Sequence, residues 1–156
     1  MSDRGAAPRK RARNEEIVAV VVKVILHEGT VATQRRLAQL VNKELGKRGH
    51  HVTPERVRVL AARSGLVSLT IRSRIDGIAP ELKECPVCRS KLKRTENRTL
   101  TGKSAATGYK CTRCPWWTGR DMRVPHHYTF QARVARSDGD EDAQLSFVRN
   151  DSRSRR

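Results

Sequence analysis

The sequence predicts an α+β protein made of two small modules between unstructured ends. Three observations carry that prediction. Helix-period apolar residues, punctuated by Thr, Pro and Gly, run over residues 14–65 and give way to a strand-like alternation over 66–74. The chain's only four cysteines fall in two C-x-x-C pairs, Cys85/Cys88 and Cys111/Cys114, with 22 residues between them. Aromatic residues make up only 4% of the 156-residue chain, too thin a supply for one large core. The expected order is a basic arm (1–13), a helical module (14–80), a small antiparallel β module stapled by metal (81–131) and a tail (132–156).

Residues 1–13 hold five basic side chains and little to bury, and Gly5 and Pro8 break any helix. At Asn14 the pattern changes. Asn14 is placed to cap a helix with Glu15 and Glu16 in its first turn, and Ile17, Val20, Val21, Val24 and Ile25 share one face. The run is rich in valine, so a strand is the competing assignment, and Glu28-Gly29 ends either one.

Residues 30–32 read as a short extended piece. Thr33 then caps a second helix with Leu37, Leu40, Val41 and Leu45 inward, and Arg35, Arg36, Gln39, Asn42 and Lys43 opposite. Thr53-Pro54-Glu55 starts a third helix, whose inward face is Val57, Leu60, Ala61 and Ser64 and whose C-terminal cap is Gly65. Arg56, Arg58, Val59, Ala62 and Arg63 point elsewhere. Small side chains among arginines suit a helix lying in a major groove, and a solvated basic helix is the alternative. Val67, Leu69 and Ile71 then alternate with Ser68, Thr70 and Arg72 as a half-buried strand. Asp76-Gly77 signals a turn, after which residues 75–79 would bend back beside it as a short, poorly marked strand.

The cysteine spacing is close to that of a four-cysteine zinc site, whose usual middle is about 15–20 residues. Two tight turns each offering two thiolates complete a tetrahedron, leaving no open position for water. One structural Zn2+ on Cys85, Cys88, Cys111 and Cys114 is therefore expected. An iron site of the rubredoxin kind also uses paired C-x-x-C turns, but with glycine after each turn, where this chain has Arg89 and Pro115. Residues 91–95 should leave the first turn as a strand, residues 97–108 form the exposed loop of a hairpin, and Trp116, Trp117, Val124, Tyr128 and Phe130 supply later strands of the same module.

Formal net charge is +17, split as +4, +5, +9 and −1 over residues 1–13, 14–80, 81–136 and 137–156. The excess peaks around the cysteines. Such a balance favours a polyanion through counterion release from phosphates. The candidate contacts are Arg35, Arg36, Arg56, Arg58 and Arg63 on the helices, and Arg89, Lys91, Lys93, Arg94, Arg98, Lys103, Lys110 and Arg113 on the cysteine module. Trp116 and Trp117 could stack on bases, and since adjacent strand residues face opposite ways, one of them should be exposed. Trp116 is the one assigned to the contact set. Residues 138–142 form an acidic knot able to screen the basic surface.

Thr101-Gly102-Lys103-Ser104 imitates the end of a phosphate-binding loop, but Asn97 stands where that motif needs its first glycine. No Ser/His/Asp grouping or paired carboxylates in an apolar setting occur, so a non-enzymatic protein is expected. Residues 1–13 are polar and basic with no apolar run after a short n-region, and the apolar run at 17–26, which contains Lys23, is too short to span a bilayer. A soluble cytoplasmic protein with no membrane or small-molecule partner is the expectation, and in that reducing setting paired C-x-x-C turns read as metal ligands.

Helix, short strand, helix, helix, strand is the order of a winged helix-turn-helix, and the paired cysteines resemble a zinc ribbon. Together they resemble the predicted transcription regulators of archaea that fuse a helix-turn-helix to a zinc ribbon, and the alpha subunit of archaeal transcription factor E. The resemblance covers about residues 14–130 as architecture and matches a motif only at the four cysteines. It implies a DNA-binding transcription regulator. The alternative is an RNA-binding or ribosome-associated protein using its ribbon and basic ends.

Overall fold

The computed structural model describes residues 11–133. Most of the basic arm and the expected tail from 134 on, with its acidic knot at 138–142, lie outside the described residues, while Ala132, expected in the tail, ends a strand and Arg133 donates to the Gly65 carbonyl. The described chain is mixed α+β, with three helices and two three-stranded antiparallel sheets.

Helix α1 (Asn14–Glu28) buries Ile17, Val21, Val24 and Ile25 and stops at Gly29, whose φ of 73° suits a residue without Cβ. Its N-cap is Arg13, not Asn14; the Asn14 side chain instead accepts a 2.8 Å hydrogen bond from Arg56. Strand β1 (Thr30–Val31) leads to helix α2 (Gln34–Gly46), capped by Thr33 Oγ1 accepting from the Arg36 amide at 3.1 Å. Helix α3 (Pro54–Ser64) begins with Thr53 as cap and Pro54 in its first turn, and ends at left-handed Gly65. The three helices pack pairwise. Asn42 on α2 holds the turn into α3 by donating to the Val52 carbonyl and accepting from the Val52 amide, both at 2.8 Å. Ala12, read from sequence as part of the unstructured arm, is buried in the core.

Strand β2 (Val67–Ile78) departs from expectation. Asp76-Gly77 does not turn the chain back; the strand runs on past it, and Gly77 at φ 66° sits in an irregularity of the ladder between Ile75 and Ile78. The return strand comes after the cysteine module. It is β6 (Asp121–Ala132), the segment expected to be the ribbon's last strand, and it pairs antiparallel with both β2 and β1. The order β1-β6-β2 brings Val31, Phe130 and Leu69 into one cross-strand row, with Tyr128 opposite Ile71. Burying Phe130 and Tyr128 beside the helices draws β6 to this sheet, because each large aromatic group removed from water contributes about 2–3 kcal/mol.

The cysteine module therefore emerges between two strands of the first sheet. Its own sheet is β3 (Leu92–Arg98), β4 (Ser104–Cys111) and β5 (Trp117–Thr118), in the order β3-β4-β5. The module leaves and rejoins at neighbouring points, where the Ala79 amide donates to the Arg120 carbonyl at 2.8 Å. Gly108 allows β4 and β5 to meet, since a Cβ there would lie 2.0 Å from the Thr118 carbonyl oxygen. Buried Thr118 ties the module to β6 by donating to the Asp121 carbonyl and accepting from the Arg123 amide. Helices, first sheet and cysteine module share one apolar cluster.

Candidate metal centre and basic surface

Cys85 and Cys88 lie in a turn before β3, Cys111 ends β4, and Cys114 lies in the turn before β5. All four are buried, and their sulfurs lie within 4.8 Å of one another. The Cys85–Cys114 and Cys88–Cys111 separations are 3.6 and 3.4 Å. A tetrahedral zinc site with Zn–S near 2.3 Å sets its sulfurs about 3.8 Å apart, so this cluster can hold one metal ion. Each turn aims backbone amides at sulfur. Val87 N donates to Cys85 Sγ, and Arg113 N and Cys114 N donate to Cys111 Sγ, all at 3.4 Å. The sulfurs are close enough to share hydrogen bonds across the cluster, Cys85 with Cys114 and Cys88 with Cys111. A divalent cation bound by the four cysteines would take the place of those shared protons.

Arg89 follows the first pair in the left-handed region, at φ 57°, where rubredoxin-like turns carry glycine. Its amide donates to the Cys85 carbonyl at 2.8 Å, and its guanidinium pairs with Glu55 of α3. A non-glycine residue pays a conformational cost there, and the Glu55 contact offsets part of it.

Helix α3 grips this turn. Arg58 Nε donates to the Val87 carbonyl at 3.1 Å, while its Nη1 donates to Gln34 at 3.0 Å and its guanidinium lies 4.9 Å from the Tyr128 ring centroid. Arg63 donates to the carbonyls of Cys88 at 2.7 Å and Arg89 at 2.9 Å. Arg113 donates back to the Arg63 carbonyl at 3.4 Å. Amides face the thiolates and guanidinia hold the carbonyls behind them. That arrangement also sets positive charge beside an anionic cluster.

The expected nucleic-acid contacts divide accordingly. Arg56, Arg58 and Arg63, expected to enter a groove, hold protein carbonyls instead; Arg56 reaches the Ala12 carbonyl and Asn14. The helical wheel correctly put these residues off the core face, but the cysteine turn covers that side, and Val59 and Ala62 are buried on it. Arg94 pairs with Glu81, and Arg89 and Arg113 are tied to α3. Arg35 and Arg36 on α2, with Lys91, Lys93, Arg98, Lys103 and Lys110 on the cysteine module, are exposed and form no ion pair with a described residue.

Trp116 is a correction. It is 2% exposed, donates Nε1 to the Arg123 carbonyl at 3.2 Å and packs in the core. Trp117 is the open one, at 48% exposure, with the Arg123 guanidinium 3.8 Å from its ring centroid. Strand parity predicts one tryptophan in and one out but not which; the burial of Thr118, two residues on from Trp116, decides it. Among the described residues no histidine joins the cysteine cluster, and no helix is long and apolar enough to cross a membrane. The chain matches no family model, no curated protein and no solved structure, so its function is argued from its own residues.

Proposed function

We propose that this is a non-enzymatic, zinc-stapled nucleic-acid-binding protein. The observation that carries the reading is the set of exposed basic side chains on the cysteine module and the start of α2 that have no acidic partner among the described residues, in a chain of net charge +17. Such side chains suit phosphate oxygens, and their number sets how steeply affinity falls with salt. The metal is structural: four thiolates fill the coordination shell of zinc and leave no position for a substrate.

The three helices with β1, β2 and β6 are read as a winged helix whose wing strands are separated by the ribbon. The archaeal regulators that the sequence resembles join the two modules in tandem, so a transcription role remains part of the proposal only as nucleic-acid binding near such machinery. Groove reading by α3 is not carried forward, because its arginines hold the metal turn. That engagement favours the second reading, a protein bound to structured RNA such as ribosomal RNA through its ribbon, since A-form helices are recognised by backbone and shape. Purifying the protein from its native cells at low salt and sequencing the accompanying nucleic acid tests both readings. Discrete promoter fragments support the regulator, enriched ribosomal RNA supports the second reading, and protein free of nucleic acid at low salt refutes both.

A further inference from the structure

In the β3-β4-β5 sheet, Lys93 lies directly opposite Lys110, and Lys110 directly opposite Trp117. Residues directly opposite in an antiparallel ladder project from the same face, so these three side chains form one row across the sheet. All three are exposed. The neighbouring row, Arg94–Tyr109–Thr118, projects from the other face and ends on buried Thr118. Lysines and an aromatic are thus concentrated on the open face.

Neither lysine forms an ion pair with a described residue. Trp117 keeps about half of its surface in water while Arg123 lies against its ring. A large aromatic left open costs hydrophobic free energy, whereas Trp116 and Val87 of the same module are covered. An indole steadied by a guanidinium, in one row with two ammonium groups that have no ion-pair partner among the described residues, has the parts of a base-stacking platform. The ring offers its π-surface to a planar base, and the lysines, both to one side of it in the row, meet the phosphates that run on in that direction.

We propose that this sheet face binds an unpaired nucleotide in single-stranded nucleic acid, with Trp117 stacking on the base and Lys110 and then Lys93 holding successive phosphates to one side of it. This rests on the nucleic-acid reading above and narrows it to a strand with unstacked bases. A duplex keeps its bases stacked inside and presents only backbone to such a surface, so the contribution of Trp117 separates the two kinds of target.

The test uses the full zinc-loaded chain and three labelled probes of about twelve nucleotides, a length within the span that one such module covers: oligouridylate, oligothymidylate and a duplex. Trp117→Leu should weaken single-strand binding by about 5- to 150-fold, the range expected for one stacked base, and change duplex affinity less than about two-fold. Trp117→Tyr should restore most of the loss. Lys93→Ala with Lys110→Ala should lower the salt slope for single strands by about 1.4. A larger Trp117→Leu effect on oligouridylate assigns the site to RNA, and a larger one on oligothymidylate assigns it to DNA. Zinc content and circular dichroism identify any variant that loses affinity by misfolding, and Trp117→Tyr then decides: full single-strand affinity in that variant supports stacking, and a loss matching that of Trp117→Leu overturns it. Equal losses on single strand and duplex, or none on either, overturn the inference. Wild-type protein that binds duplex alone overturns it while leaving the proposed function standing; protein that binds none of the probes removes both.

Discussion

Arg58→Ala should cost about 3 kcal/mol of stability and loosen the metal at the same time. The Arg58 side chain is only 11% exposed. Truncation leaves the Val87 carbonyl, in a fully buried residue, without its guanidinium donor, a loss of about 1–3 kcal/mol. It also removes the guanidinium from the Tyr128 ring, about 1 kcal/mol in a partly desolvated setting, and frees Gln34. These losses share one side chain and do not add fully, so about 3 kcal/mol is the working value. Arg58→Lys keeps the charge but lacks the planar fork that reaches Val87 and Gln34 together, and should recover only part of it. Urea unfolding of the zinc-loaded protein measures the stability, and the rate of zinc transfer to a chromogenic chelator measures the site. Because Arg58 joins α3 to the first cysteine turn, both readouts should move together. Lost stability with unchanged zinc release, or a cost below about 1 kcal/mol, would refute the coupling.

Three further outcomes follow from the structure. Removing zinc, or replacing Cys88 with Ser, should abolish amide protection over residues 85–118 in hydrogen exchange, while residues 128–131 stay protected by their pairing with β1 and β2; loss over both segments would refute the separation. Gly108→Ala should cost about 1–3 kcal/mol by forcing β4 from β5, and urea unfolding with unchanged stability would show that the strands have room to part. Burial pushes the Tyr128 phenol above its ordinary range, favouring its neutral form in the fold. That contribution is complete below the unfolded phenol's pKa of about 10 and is lost as pH rises through the folded value, so Tyr128→Phe should flatten the alkaline fall of the melting temperature.

The legible parts of this chain are local ones. Thr33, Thr53-Pro54 and Gly65 mark helix boundaries through contacts within a few residues, and the paired cysteines carry their geometry in their spacing. What escaped depends on distant partners. Alternation at Tyr128 and Phe130 says that residues 121–132 form a strand, but not that its partners are β1 and β2 rather than the ribbon. A helical wheel places Arg58 and Arg63 off the core face of α3, yet it cannot show that another module covers that side. Asn42 sits on the polar side of α2 by sequence and fastens the α2–α3 turn in space.

The placement of the cysteine module between β2 and β6 also sets an order of events during synthesis. Strand β2 is complete long before its partner, because residues 79–120 must be made first. Until β6 docks, the twelve residues Val67–Ile78 have no ladder on either side, and Ile75 and Ile78 stay exposed even in the closed sheet. Unpaired apolar edges of this kind recruit strands from other chains. A metal ion captured by the four cysteines would collapse the intervening segment from a long loop into a compact one, lowering the entropic cost of bringing β6 home. Metal uptake would then shorten the time β2 spends open during synthesis, without being needed to keep β6 paired once it has docked.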